Sequence, residues 1–157
     1  MKIATWNING IISRLEHLVK WSQTVRPDVL CLQETKSVDP NFPLRKLQAA
    51  GFEYIELYGE KSYNGVAILS KVPLTHVRKG FPTDRPDAPT RLIEARANGV
   101  AVVCAYFPHG TKIGSEKFKF KLDWVTRLRK YFDELHSRDD LVLLCGDTNI
   151  TPHEMDL

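Results

Sequence analysis

Along the chain, short apolar runs of strand length alternate with segments whose apolar residues recur every three to four positions. Residues 2–8 and 28–33 are strand-like, and the run VLCL in the second is apolar enough to be buried on both faces. Between them Ser13-Arg14-Leu15-Glu16 reads as a capping box, followed by Leu15, Leu18, Val19 and Ser22 on one helical face. A strand, a helix and a second strand in this order imply a parallel pair with a right-handed crossover. Pro43 suits the first turn of a short second helix that Gly51 ends, with Leu44 and Leu47 facing inward.

Strands are then predicted at 53–58, 65–70 and 74–78, and residues 81–89, with three prolines, form a loop. Residues 91–97 and 100–106 flank Asn98-Gly99, the pair suited to a type I′ turn, so they form a hairpin. Residues 115–136 make the longest helix, its inward face read as Phe118, Leu122, Val125, Leu128, Phe132 and Leu135. Residues 141–145 are a last buried strand. About eight strands and three helices describe an α/β mixed sheet with helices on one face. The runs VLCL, VAVVCA and LVLLC are apolar on both sides and need a second covering layer, which three helices do not supply. Residues 1–157 are therefore expected to be a single incomplete domain.

Composition narrows the class. With 43% hydrophobic residues the chain can support a core, and no run approaches the roughly 20 apolar residues that a bilayer crossing needs. Asn7 and Asn9 interrupt the first apolar run, against a secretory signal, so a cytoplasmic location without membrane contact is expected. Cys31, Cys104 and Cys145 each sit in an apolar run at a spacing that matches no zinc pattern, and are read as reduced packing residues. The net charge of +3 conceals an uneven distribution, with 14 basic against 5 acidic residues over 61–130 and 1 against 7 over 131–157. A basic middle beside an acidic end suits a phosphate-tracking surface next to a cation-holding site. Lys117, Lys119 and Lys121 recur at period two on a helix, so they point different ways and are read mostly as solvated.

Four predicted strands end in polar residues that packing does not require: Asn7, Gln33-Glu34, Tyr106, and Asp147 with Asn149. In open α/β sheets ligands bind beyond the carboxyl ends of the strands, so these residues are expected to converge. They offer oxygen donors only, which favours Mg²⁺, with Mn²⁺ as the alternative, over zinc. That chemistry fits phosphoester hydrolysis, with a carboxylate taking a proton from water and amide and phenol donors holding phosphate oxygens. Neither a P-loop nor a Gly-x-Ser-x-Gly motif occurs.

With the segments ATWNINGI (4–11), LCLQETK (30–36), YNGVAILSK (63–71), AYFPHG (105–110) and CGDTNITPHEMD (145–156), in that order, the chain resembles the exonuclease III-type AP endonucleases of the endonuclease/exonuclease/phosphatase superfamily. The resemblance implies the N-terminal half of a four-layer α/β sandwich of the DNase I-like kind. It implies a Mg²⁺-dependent DNA-repair phosphodiesterase that cleaves double-stranded DNA 5′ to abasic sites and removes nucleotides from 3′ ends. Carried over, Glu34 is the metal-binding glutamate and Asn7 orders the metal and phosphate. Asp147 orients or deprotonates the water, Asn149 holds the phosphate, and Tyr106 hydrogen-bonds the scissile phosphate. The implied metal group is Glu34, Asn7, Asp147 and Asn149, while Asn9, Lys36, Tyr63 and Arg91 fall on segments that approach the DNA backbone. The family's chain continues past this point with a second sheet, an aspartate near the metal and a closing Ser-Asp-His segment. His17, His76, His109, His136 and His153 lie in no such segment, and His109 and His153 are read as loop residues near the site. Two alternatives stay open: an inactive half-domain that binds DNA, a partner or a second copy through its uncovered sheet, and a superfamily phosphoesterase with a non-DNA substrate.

Overall fold

Eight strands and three helices succeed one another in the computed structural model, which describes residues 1–151: β1 (Ile3–Asn7), α1 (Ile11–Val25), β2 (Val29–Gln33), α2 (Leu44–Ala49), β3 (Tyr54–Tyr58), β4 (Val66–Ser70), β5 (Leu74–Lys79), β6 (Leu92–Ala97), β7 (Val100–Tyr106), α3 (Glu116–Leu135) and β8 (Val142–Asp147). The strands form two four-stranded mixed sheets, ordered β1-β2-β4-β3 and β5-β6-β7-β8. β1 and β2 pair in parallel, as do β7 and β8, and the other pairs are antiparallel. The expected β-α-β unit is therefore present. Asn98 and Gly99, both at positive φ, turn the hairpin between β6 and β7.

Two sheets in place of one correct the expectation that VLCL and VAVVCA lack a covering layer. Their alternate residues serve two different cores. Leu30 and Leu32 of β2 face α1 and α2 with Leu15, Leu18, Leu47 and Phe52, whereas Val29 and Cys31 face the other sheet with Ile68, Ile93, Val102 and Cys104. Val103 and Ala105 of β7 turn outward to α3, packing with Trp124, Leu128 and Tyr131. The layers run helix, sheet, sheet, helix within this one stretch of chain. The run LVLLC is the exception, since Leu143 and Leu144 on edge strand β8 are exposed.

Two helices depart from their predicted detail. α1 begins at Ile11 behind Gly10, and the Ser13 hydroxyl bonds back to the Gly10 carbonyl, so the capping box does not form. The first amides of α1 are satisfied at long range, with Ile11 N–H donating to the Thr35 carbonyl at 3.0 Å. α3 buries Lys121, Trp124, Leu128 and Tyr131 and leaves Leu122 and Val125 exposed. Its inward stripe is thus offset by about one position from the one read from Leu and Val. The Ser115 side chain accepts from Phe118 N–H and caps it.

Cys31, Cys104 and Cys145 are free and meet between the sheets. Contact with the other two thiols, then burial, pushes the Cys31 thiol up, as suits a packing residue. Gly146 sits at φ 144° where a Cβ would strike the Ala105 carbonyl, so the close β7–β8 approach requires glycine there. None of the helices among the described residues is long and apolar enough to cross a membrane.

Candidate active site

Parallel pairing brings the carboxyl ends of β1 and β2 together in one sheet and those of β7 and β8 in the other. Asn7 lies opposite Gln33, and Tyr106 opposite Asp147. Backbone bonds extend this alignment past the strands. Gly10 N–H donates to the Glu34 carbonyl at 2.7 Å, Thr35 N–H to Gly65 at 3.1 Å, Lys36 N–H to Asn64 at 3.0 Å, and Gly65 N–H to Thr90 at 3.0 Å. The segments NING, QETK, YNG and the residues before Arg91 therefore form one hydrogen-bonded rim. Asn9, Glu34 and Lys36 on that rim, and Asn149 just after β8, have φ between 45° and 52°. Such left-handed angles are uncommon outside glycine and cost on the order of 1–3 kcal/mol each.

At the centre, Asn7 Nδ2 donates to Glu34 Oε1 and to Asp147 Oδ2, each at 2.8 Å. Only the donor end of an amide can face two carboxylates at once. Asn9 N–H holds Asn7 Oδ1 at 3.1 Å and so fixes the amide's orientation. Lys36 Nζ lies 2.8 Å from Glu34 Oε2 and also donates to Asn9 Oδ1. Asn149 N–H donates to Asp147 Oδ1 at 2.9 Å, and Asn149 Nδ2 to the Phe107 carbonyl at 2.8 Å. The Arg91 guanidinium stacks over the Tyr106 ring at 4.7 Å.

Electrostatics follow from these contacts. Burial pushes the Glu34 carboxyl up, but donors from Asn7, Lys36 and Tyr106 and the Lys36 charge together hold it below its ordinary value. Burial first, and then Glu34, push the Tyr106 phenol up, so it remains a proton donor at neutral pH. Burial lowers Arg91, with Tyr106, Glu60 and Glu34 opposing.

Eight of the nine sequence-predicted site residues, Asn7, Asn9, Glu34, Lys36, Arg91, Tyr106, Asp147 and Asn149, lie on this rim or within one contact of it. The ninth, Tyr63, is the first residue of the YNG segment, and its side chain stands 72% exposed in the loop before Gly65. Gln33 turns inward and is buried, its amide donating to Thr5 Oγ1 at 3.0 Å. His109 is a loop residue that accepts from Thr111 N–H, and His153 lies outside the described residues.

The chain matches the endonuclease/exonuclease/phosphatase family over residues 4–157. It belongs to that family. It is 35% identical to exodeoxyribonuclease III of Haemophilus influenzae, an alignment that takes in all of this chain and 60% of the relative. An AP endonuclease structure from Archaeoglobus fulgidus superposes with a TM-score of 0.91 at 37% identity, covering 99% of this chain and 60% of that one. The 3′ phosphatase NExo from Neisseria, bound to a product DNA hairpin, gives 0.89 at 36% identity, covering 98% and 60%. The chain thus spans about three-fifths of the length of these relatives.

The oxygen donors of this family member suit a hard cation. Among the described residues no three His, Cys, Asp or Glu side chains are grouped to hold a metal. Mg²⁺ requires only one or two carboxylates beside its waters, and Glu34 and Asp147 supply two, drawn to one amide. A polar residue that the lysine pattern conceals also belongs here. Lys121 of α3 is only 8% exposed, which corrects its reading as solvated, and its Nζ donates to the Thr148 carbonyl at 3.2 Å and the Asn149 carbonyl at 2.5 Å. The signal available in sequence was its place in the 121–124–128–131 stripe.

Proposed function

We propose that this protein is a Mg²⁺-dependent phosphodiesterase acting on DNA, of the exonuclease III and AP endonuclease type, with Mn²⁺ as an alternative ion. The single observation that carries the reading is the Asn7 amide joining Glu34 and Asp147. It draws together two carboxylates from opposite sheets that would otherwise repel. Glu34 and Asp147 would hold the ion with Asn7 and Asn149 alongside. When bound, the ion supplies Lewis-acid stabilisation of charge on the phosphate and leaving oxygen.

The chain's own residues supply the rest. Asp147, oriented by bonds from Asn7 Nδ2 and Asn149 N–H, is placed to accept a proton from water. Tyr106 keeps its phenol proton and donates it to a non-bridging phosphate oxygen. One N–H of the Asn149 amide is spent on Phe107, leaving the other for phosphate. Arg91, Lys36 and Asn9 add cationic and polar contacts to a DNA backbone, while Tyr63 is the outermost of the group. The likeness to relatives named as AP endonuclease and exodeoxyribonuclease III supports, within this reading, cleavage 5′ to abasic sites and removal of 3′ nucleotides.

The test is incubation of the protein with a duplex carrying one abasic site, with and without Mg²⁺. Metal-dependent incision that is abolished in Glu34→Ala supports the reading; equal incision by Glu34→Ala overturns it. Exposed Leu143 and Leu144 on edge strand β8 favour a second reading for that face, pairing with a second copy. A monomeric mass in sedimentation at high concentration would remove it.

A further inference from the structure

Resting on that reading of the site, we propose that Lys121 is a positioning residue, whose ammonium fixes the turn after β8 and with it Asp147 and Asn149. The face of α3 that packs on the sheet is otherwise Trp124, Leu128 and Tyr131. Helix packing alone would place an apolar residue at 121, because burying an ammonium is costly unless its donors are used. Here two of its three donors are used, both on carbonyls of the turn, Thr148 and Asn149.

Those two carbonyls follow the last residue of β8, past the end of its ladder with β7. Asn149 there has φ 49°, an angle that local preference does not hold by itself. Apart from the Asn7 bond to the Asp147 carboxylate, the turn has three other fixings among the described residues: Asn149 N–H to Asp147 Oδ1, Asn149 Nδ2 to the Phe107 carbonyl, and Phe107 N–H to the Asp147 carbonyl at 2.9 Å. All of them run within the turn or to Phe107. Lys121 supplies a tie to α3, and the Phe107 ring, 4.8 Å from Trp124, fixes the other side of the same junction. The longest helix of the molecule is thereby keyed to the site although it carries no residue of the cluster itself.

The experiment compares wild type, Lys121→Met, Lys121→Arg and Lys130→Met, the last an exposed lysine farther along α3. Hydrogen–deuterium exchange over residues 145–151 gives a readout that does not depend on activity, and incision of the abasic-site duplex gives kcat and KM. Lys121→Met is expected to speed exchange in that segment and to lower kcat roughly 10- to 100-fold with KM within about twofold, at an unchanged overall fold by circular dichroism. Lys121→Arg, which keeps a cation and donors, is expected to recover most of the loss, and Lys130→Met to behave as wild type. Unchanged exchange in Lys121→Met overturns the proposal, as does faster exchange with unchanged kcat. If Lys121→Met does not fold, the Arg variant decides: kcat no better than a tenth of wild type in a folded Lys121→Arg counts against it. Absence of incision by wild type would overturn the proposed function, and the exchange result would still decide whether Lys121 holds the turn.

Discussion

The side-chain amide of Asn7 donates to Glu34 and to Asp147 at the same distance, 2.8 Å, across the junction of the two sheets. Asn7 thereby reaches a residue 140 positions away in sequence with the same nitrogen that holds Glu34. Replacing Asn7 with Ala removes both donors and leaves two carboxylates facing each other. Incision of the abasic-site duplex is expected to fall roughly 100-fold or more, on the scale of losing one oriented donor in a catalytic site. Because the side chain is only part-buried, the urea midpoint is expected to move little, and measuring both separates the chemical role from a folding defect.

Glu34 gives the site a definite acid response. Its folded value is depressed, so the unfolded state binds a proton at higher pH than the folded one. The stabilisation this brings is complete above the ordinary carboxylate range and is lost as pH falls through the depressed value. Urea midpoints of wild type and Glu34→Gln, measured without divalent metal from neutral pH downward, are expected to differ by a constant amount until the carboxylate range. They should then converge in acid. A difference that grew in acid would show Glu34 to be raised instead.

Away from the site, Glu94 of β6 is fully buried and holds three partners: Arg78 at 2.7 Å, Tyr131 Oη–H at 2.6 Å and His136 Nε2 at 3.0 Å. Burial, then Glu94, push the Tyr131 phenol up, so it donates at every physiological pH. Tyr131→Phe removes one charge-assisted bond and is expected to cost about 1.5–3 kcal/mol. Glu94→Ala leaves the remaining groups without their acceptor and is expected to cost about 3–5 kcal/mol. Chemical denaturation measures both, and equal losses would mean that the phenol contributes all of the network's stability.

The elements and the site differ in how far they can be read from sequence. Strand ends are legible at Asn7, Glu34, Tyr106 and Asp147 because an apolar run stops on a polar residue that no core needs. The division into two sheets is not legible. Strands such as VLCL, apolar on both faces, look the same whether helices or a second sheet cover them. The start of α1 misleads for a related reason: the helix begins two residues before Ser13, at Ile11, whose amide the Thr35 carbonyl satisfies, so Ser13 and Glu16 lie inside it. In α3, Trp124, Tyr131 and Lys121 carry the buried stripe, and a reading weighted to Leu and Val puts it one position away. A lysine whose partners are main-chain carbonyls of a distant turn leaves no trace in composition, and its place in the helical period shows only once Trp124 and Tyr131 are counted as the inward face.

Tyr106 tests how the rim residues depend on one another. Its phenol is placed by the parallel register of β7 with β8 and is covered by the Arg91 guanidinium. It also contributes to holding Glu34 down, after Asn7 and Lys36. Tyr106→Phe keeps the ring for Arg91 to stack on and removes only the hydroxyl, so the fold and KM for the duplex are expected to change little. The kcat is expected to fall roughly 100-fold, because a donor aimed at developing phosphate charge acts in the transition state more than in binding. In the same variant, without divalent metal, Glu34 loses one donor to its charged form, so its carboxyl should titrate at higher pH than in wild type. Carboxyl ¹³C shifts followed through an acid titration measure this. An unmoved Glu34 would mean that Asn7 and Lys36 suffice to hold it, and that the hydroxyl acts on substrate alone.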